Sequence, residues 1–229
     1  MLEVRILHSN AAVGTQILVT EQQDSILVDA GDGCLRDLVG QRFPFDELKG
    51  ILFTHEHFDH ISGLYSLINF LTLLGRKEPL LVTTPLPCLR IRSLLRPPLM
   101  YYSPEFRIQI LELSKGEEIQ VASFKIKAFE VSHTGIESLG YSLRDDNGHK
   151  VVISGDTRIC PTLEREVEGA DIAVLESTYE DQDQDAAQKN GHMTRSQARA
   201  LGVRAKHAVF VHSPPEGYFD EISRSCRLR

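Results

Sequence analysis

A series of short apolar runs, each bounded by turn-forming residues, constrains this chain most strongly. They lie at 4–7, 17–20, 26–28, 50–53, 80–83, 124–131, 151–153, 172–175 and 208–211, and are too short for helices, so they read as strands. Helical spacing occurs at 35–39, 64–74, 87–95 and 195–206. The last span has a start signal: Thr194 as N-cap with Gln197 three residues on, and Ala198, Leu201 and Ala205 on one face. Strands follow one another directly early in the chain, and helices are interspersed later. That order favours sheet packed on sheet with helices outside, over a doubly wound parallel sheet. The polar stretch 179–191 reads as a solvated loop, and 140–156 as two strands joined by a two-residue turn at Asn147-Gly148.

At 229 residues the chain suits one domain, 1–229. A net charge of -7 excludes a global basic field that would draw it onto nucleic acid or anionic lipid. Cys34, Cys88, Cys160 and Cys226 are far apart and form no CxxC pair, which reads as free thiols in a reducing compartment. No signal-peptide layout and no membrane-spanning apolar run is seen, so a cytoplasmic, soluble protein with no membrane partner is expected.

The chemistry concentrates in FTHEHFDH, Phe53 to His60. His55, His57, Asp59 and His60 follow an apolar strand and precede a helical run, which places them in a crevice at a sheet edge. His55 and His57 are two apart and point the same way in extended chain, while Asp59 and His60 turn elsewhere, which suits a second ion. Imidazole with carboxylate suits Zn²⁺, Mn²⁺ or Fe. The HExxH zincin pattern is excluded, because the residue four after His55 is Asp59. Four ligands do not satisfy two metals. His133, Asp156 and His212 each stand just after a predicted strand and supply further donors. A carboxylate such as Asp156 can give one oxygen to each of two ions roughly 3.5–4 Å apart, acidifying a shared water. Glu176 ends another strand, and His192 precedes the Thr194 N-cap, where a helix start favours anions. His192 there would donate to a phosphate oxygen or protonate a leaving group, with Glu176 orienting it or holding it protonated. His8, His149 and His207 fit no such pattern and read as non-ligands.

With ILVDAGDGCLRDL, ILFTHEHFDHISGL, VVISGDTR, GADIAVLESTYED, GHMTRSQA and VFVHSPP in this order, the chain resembles the metallo-β-lactamase superfamily along nearly its whole length. The Gly-His-Met-Thr segment after Glu-Ser-Thr makes it most similar to the ribonuclease Z (tRNase Z) branch. The resemblance implies an α/β (α+β) fold, a four-layer αββα sandwich with a two-zinc site at one edge. It implies one metal on His55, His57 and His133, the other on Asp59, His60 and His212, and Asp156 bridging. Asp59 would also accept a proton, His192 with Glu176 would assist phosphodiester cleavage, and Asp29 matches a structural position. β-Lactamases of this fold usually lack the bridging aspartate and the His192 segment, so that activity is not expected.

The expected function is a dinuclear zinc phosphodiesterase of ribonuclease Z type, a tRNA 3′-processing endonuclease or a small-diester hydrolase. A glyoxalase II-like thioester or lactone hydrolase, and a nucleic-acid-binding or scaffold protein with a vestigial metal site, are the alternatives. One departure stands out. The interval between His133 and Asp156, where many bacterial members carry the arm that clasps tRNA, is too short for it. The segment after His212 also looks abbreviated. Arg90, Arg92, Arg96 and Arg107, beside Tyr101 and Tyr102, offer a substitute RNA contact, or else form a solvated helix face. A homodimer partner is another possible substitute.

Overall fold

The computed structural model describes residues 2–96 and 102–215. The apolar runs form two six-stranded sheets. The first contains β1 (Glu3–Asn10), β2 (Gly14–Glu21), β3 (Asp24–Val28), β4 (Leu48–Leu52), β5 (Leu80–Pro85) and β6 (Ile108–Leu113), in that spatial order. The second contains β7 (Glu118–Val121), β8 (Phe124–Glu130), β9 (Leu139–Arg144), β10 (Lys150–Ile153), β11 (Ile172–Glu176) and β12 (His207–Val211), in the order β12-β11-β10-β9-β8-β7. Pairing is antiparallel from β1 to β3 and parallel from β3 to β6; it is antiparallel from β7 to β10 and parallel from β10 to β12.

Strand alternation explains the layers. Ile17 and Val19 of β2, Ile26 and Val28 of β3, and Leu52 after β4's glycine meet Ile126, Tyr141, Leu143, Val151 and Val174 between the sheets. The alternate residues Leu18, Leu27 and Ile51 face outward, under α1 (Cys34–Gly40), α3 (Leu64–Leu73) and α4 (Arg90–Leu94), through Leu38, Leu67, Leu71 and Ile91. On the far side Val152, Ala173 and Leu175 carry α5 (Pro161–Val167) and α7 (Arg195–Gly202) through Leu163, Val167, Ala198 and Leu201. Both faces of both sheets are therefore covered, giving the expected αββα sandwich. The Thr194 cap forms as expected: its hydroxyl accepts from the Gln197 amide, and the Gln197 side chain accepts from the Thr194 amide.

Two local expectations are corrected. The stretch 179–191 is not a plain loop; it contains α6 (Gln184–Asn190), closed by Gly191 in the left-handed region at φ 79°. The β9–β10 connection is not a two-residue turn. It runs over 145–149, and only Gly148, not Asn147, has positive φ, as a type I′ turn would require of both. Asp145 organises it instead, accepting from the Asn147 and His149 amides.

Candidate metal centre

Apart from His192, which lies between two helices, the singled-out histidines and carboxylates sit at or just after the carboxyl end of a strand, on one edge of the sandwich. Asp29 follows β3, the histidine segment follows β4, His133 follows β8, Asp156 follows β10, Glu176 ends β11 and His212 follows β12. Parallel strands bring these ends to one rim, the usual ligand position in such sheets. The β3 and β4 loops pack so closely that only glycine fits at two points. A Cβ on Gly31 would stand 2.2 Å from the Asp59 carbonyl oxygen, and one on Gly63 would stand 2.2 Å from the Gly31 carbonyl oxygen. The Ala30 amide donates to the His60 carbonyl at 2.7 Å, which completes the clamp.

The imidazoles converge. His55 Nε2 lies 2.9 Å from His57 Nδ1, and His133 Nε2 lies 3.2 Å from the same atom. His60 Nε2 and His212 Nε2 are 3.3 Å apart, with Asp59 Oδ2 3.4 Å from His212 Nε2. Asp156 Oδ2 stands between the two groups, 3.7 Å from His55 Nε2, 3.5 Å from His60 Nε2 and 3.4 Å from His212 Nε2. Ligand atoms of His55, His57, His133 and Asp156 fall within 4.8 Å of one another, as do those of Asp59, His60 and His212.

The outward nitrogens decide which lone pairs point inward. His133 Nδ1 faces the Gly191 carbonyl at 3.0 Å; a carbonyl only accepts, so Nδ1 carries the proton and Nε2 is bare in the neutral ring. His60 Nδ1 donates likewise to Asp29 Oδ2 at 2.7 Å. Thr54 Oγ1 holds His55 Nδ1 at 3.0 Å, and Thr178 Oγ1 holds His212 Nδ1 at 3.0 Å. Such outer partners fix ring orientation in metal sites. Asp59 is fixed by the Ala12 amide, which donates to Oδ2 at 2.8 Å. His212 and Asp29 both adopt left-handed backbone, φ 60° and 59°, a strained placement that side chains rarely take.

Electrostatics agree with this donor set. Burial, reinforced by His133, lowers His57 to about 4, and burial also lowers His55 and His133, so these rings are held neutral, the ligating form. At His60 burial works downward too, but Asp156 and Asp29 outweigh it and raise the group well above the usual imidazole range. Burial raises the carboxylates, yet His212 and His60 win. Asp59 falls to about 2 through the His212 hydrogen bond, and Asp156 lies well below its ordinary range. Asp59 and Asp156 are buried, and among the described residues neither pairs with Lys or Arg. Two buried carboxylates among converging imidazoles, charged and without a Lys or Arg partner among the described residues, fit divalent cations.

Glu176 and His192 form a second device on the same rim. Glu176 is fully buried; Oε1 accepts from the Thr157 amide at 3.0 Å, the Met193 amide at 3.2 Å and His192 Nδ1 at 2.9 Å. Oε2 accepts from the Thr178 amide at 3.0 Å and hydroxyl at 2.8 Å. Burial lowers the His192 imidazole, but the Glu176 charge and hydrogen bond dominate and raise it to about 9. His192 also comes within ligating range of Asp156 and His212.

The arginines divide. Arg92 is bound to Glu112, its Nε donating at 2.9 Å, while Arg90 borders the site next to His57. Arg96 and Arg107 carry no ion pair among the described residues, and Tyr101 lies outside them. The sequence reading passed over Glu56, buried within the histidine segment. Its Oε2 accepts from the Leu89 and Arg90 amides at 3.1 and 3.0 Å, and its Oε1 from the Ile91 amide at 2.9 Å. A glutamate flanked by two candidate ligands reads as a ligand or a solvated charge, and nothing local signals a helix start more than thirty residues away.

Comparison with known proteins places this geometry. The Ribonuclease Z of Gemmatimonas aurantiaca is 25% identical, over 86% of this chain and 78% of its own length. That of Ignicoccus hospitalis is 27% identical, over 81% and 77%. The short form of human tRNase Z superposes with a TM-score of 0.81 at 23% identity, covering 93% of each chain, a likeness of fold. The family pattern described as the beta-lactamase superfamily domain matches residues 24–213. The chain thus belongs to the beta-lactamase superfamily, among relatives named Ribonuclease Z.

Proposed function

We propose that the chain is a zinc-dependent phosphodiesterase of ribonuclease Z type, a cytoplasmic hydrolase acting on RNA or on smaller diesters. The observation that carries this reading is the joining of two devices on one rim: converging imidazole and carboxylate donors, and the buried Glu176–His192 pair beside them. An acyl hydrolase has no evident use for the second device.

In this reading His55, His57 and His133 would hold one ion and Asp59, His60 and His212 the other, with the Asp156 carboxylate available to both. When bound, the two ions supply Lewis acidity toward a phosphoryl oxygen and make water nucleophilic at neutral pH. Asp59, steadied by the Ala12 amide, would serve as the proton acceptor once the ions are bound. His192 presents a proton to the leaving oxygen or a hydrogen bond to the phosphoryl group, and Glu176 keeps the ring aimed and favours its charged form. In-line attack then relies on positioning and charge.

The same reading treats the chain as one hydrolase domain without the clasping arm. The interval between His133 and Asp156 holds β9, β10 and the short connection at 145–149. The test is hydrolysis by zinc-loaded protein of bis(p-nitrophenyl) phosphate, a β-lactam and a glutathione thioester, with elemental analysis in parallel. Two zinc ions per chain and fastest diester turnover are expected. Fastest thioester turnover would favour a glyoxalase II-like enzyme, and failure to bind metal a vestigial site.

A further inference from the structure

A groove of about 660 Å³ opens directly beside the metal centre, and His57 lines both. Its walls are apolar: Phe58 and Ile61 from the short helix α2 (Phe58–Ile61), and Leu89 and Leu94 from the start and end of α4. Phe58 lies between the ligand candidates His57 and Asp59, yet is 63% exposed, and Leu89, which lines the same groove, is 65% exposed. Large apolar side chains left open to water this close to a polar centre call for a ligand surface to cover them. Arg90 stands on the same groove with no carboxylate partner among the described residues. Glu56 fixes the two walls relative to each other, because it belongs to the histidine segment and accepts the first amides of α4.

We infer that this groove is the subsite for a nucleobase carried on the phosphate bound at the metal centre, with Phe58 and Leu89 as its specificity-determining residues. The inference rests on the phosphodiesterase reading for the placement of the phosphate. A base is planar and largely apolar on its faces, which suits the Phe58 ring and the Leu89 side chain, and polar at its edges, which suits Arg90. A simple alkyl substituent would leave most of this surface uncovered. Glu56 acts as a positioning residue, tying the start of α4 to the histidine segment.

The experiment measures calorimetric binding of uridine 5′-monophosphate and of methyl phosphate to zinc-loaded protein, with diester hydrolysis measured separately. The nucleotide should bind at least tenfold more tightly than methyl phosphate. Phe58→Ala and Leu89→Ala should each remove most of that ratio, while Val203→Ala, an exposed residue remote from the groove, should preserve it. If Phe58→Ala sheds metal because of its neighbours, Leu89→Ala decides, since α4 contributes no ligand. Equal affinity for the two ligands in the parent protein, or a ratio that survives Leu89→Ala, overturns the inference. A nucleotide preference without diester turnover would leave the groove standing and refute the phosphodiesterase reading.

Discussion

Replacing Glu176 tests whether one buried carboxylate holds the rim together. Its five acceptor contacts anchor three segments: Thr157 beside Asp156, Thr178 beside His212, and Met193 with His192. In Glu176→Gln one oxygen becomes an NH₂ group. With the amide oxygen at the Oε1 position, the Thr157, Met193 and His192 bonds survive, but the Thr178 N–H then faces another donor. The reverse orientation strands the Thr157 and Met193 amides, so the first wins. One unsatisfied buried N–H costs about 1–3 kcal/mol, and the surviving bonds weaken as the acceptor loses its charge. The expected loss is about 3 kcal/mol for Gln. For Ala, which leaves every donor stranded, it is about 4 kcal/mol or more. Glu176→Ala should also weaken metal affinity about 10–100-fold, the usual cost of removing an outer partner, while metal stoichiometry at saturation is unchanged. Urea unfolding with saturating zinc and with excess chelator measures both. A Gln variant within about 0.5 kcal/mol of the parent in chelator would refute the network, and loss of one ion at saturation would make Glu176 a ligand.

The layers were legible because strand periodicity and burial agree: Leu18 and Leu27 alternate with Ile17, Val19, Ile26 and Val28 between two different cores. β6 and α5 carried signals that went unused, namely the apolar Ile108 and Ile110 two apart, and Pro161 at a helix start with Leu163 and Val167 on one face. α6 carried almost none. It buries Ala187 alone, so no apolar stripe marks it, and only Gly191 announces its end. The convergence of the candidate donors was legible because they share one placement, after apolar strands, where any one of them alone would have read as structural or solvated. Their supports were not. The Gly191 carbonyl that sets the His133 tautomer lies 58 residues away, and Glu56 looks like one more acid in a polar loop until α4 folds against it.

Further outcomes follow from the site and the core. Asp156→Ala should bind at most one ion per chain by elemental analysis and lose nearly all diester turnover, because its carboxylate stands between both donor groups. His192→Ala should lower kcat about 10²-fold or more with zinc content unchanged; lost zinc would assign His192 as a ligand in the group it forms with Asp156 and His212. Gly63→Ala should destabilise by about 3 kcal/mol in urea, since its Cβ would meet the Gly31 carbonyl and neither loop can yield without moving Asp59 or His60. Precursor tRNA tests the reading at its largest scale. A large substrate needs binding energy remote from the scissile bond, and here β9 and β10 are joined by only a short connection where an arm would stand. The net charge of -7 gives little long-range attraction, and Arg92 is already paired to Glu112. Turnover of precursor tRNA should therefore be poor and fall steeply with added salt, whereas turnover of a small diester should change little. Efficient, salt-tolerant 3′ processing would refute this argument and require a binding surface from elsewhere, such as a second copy of the chain.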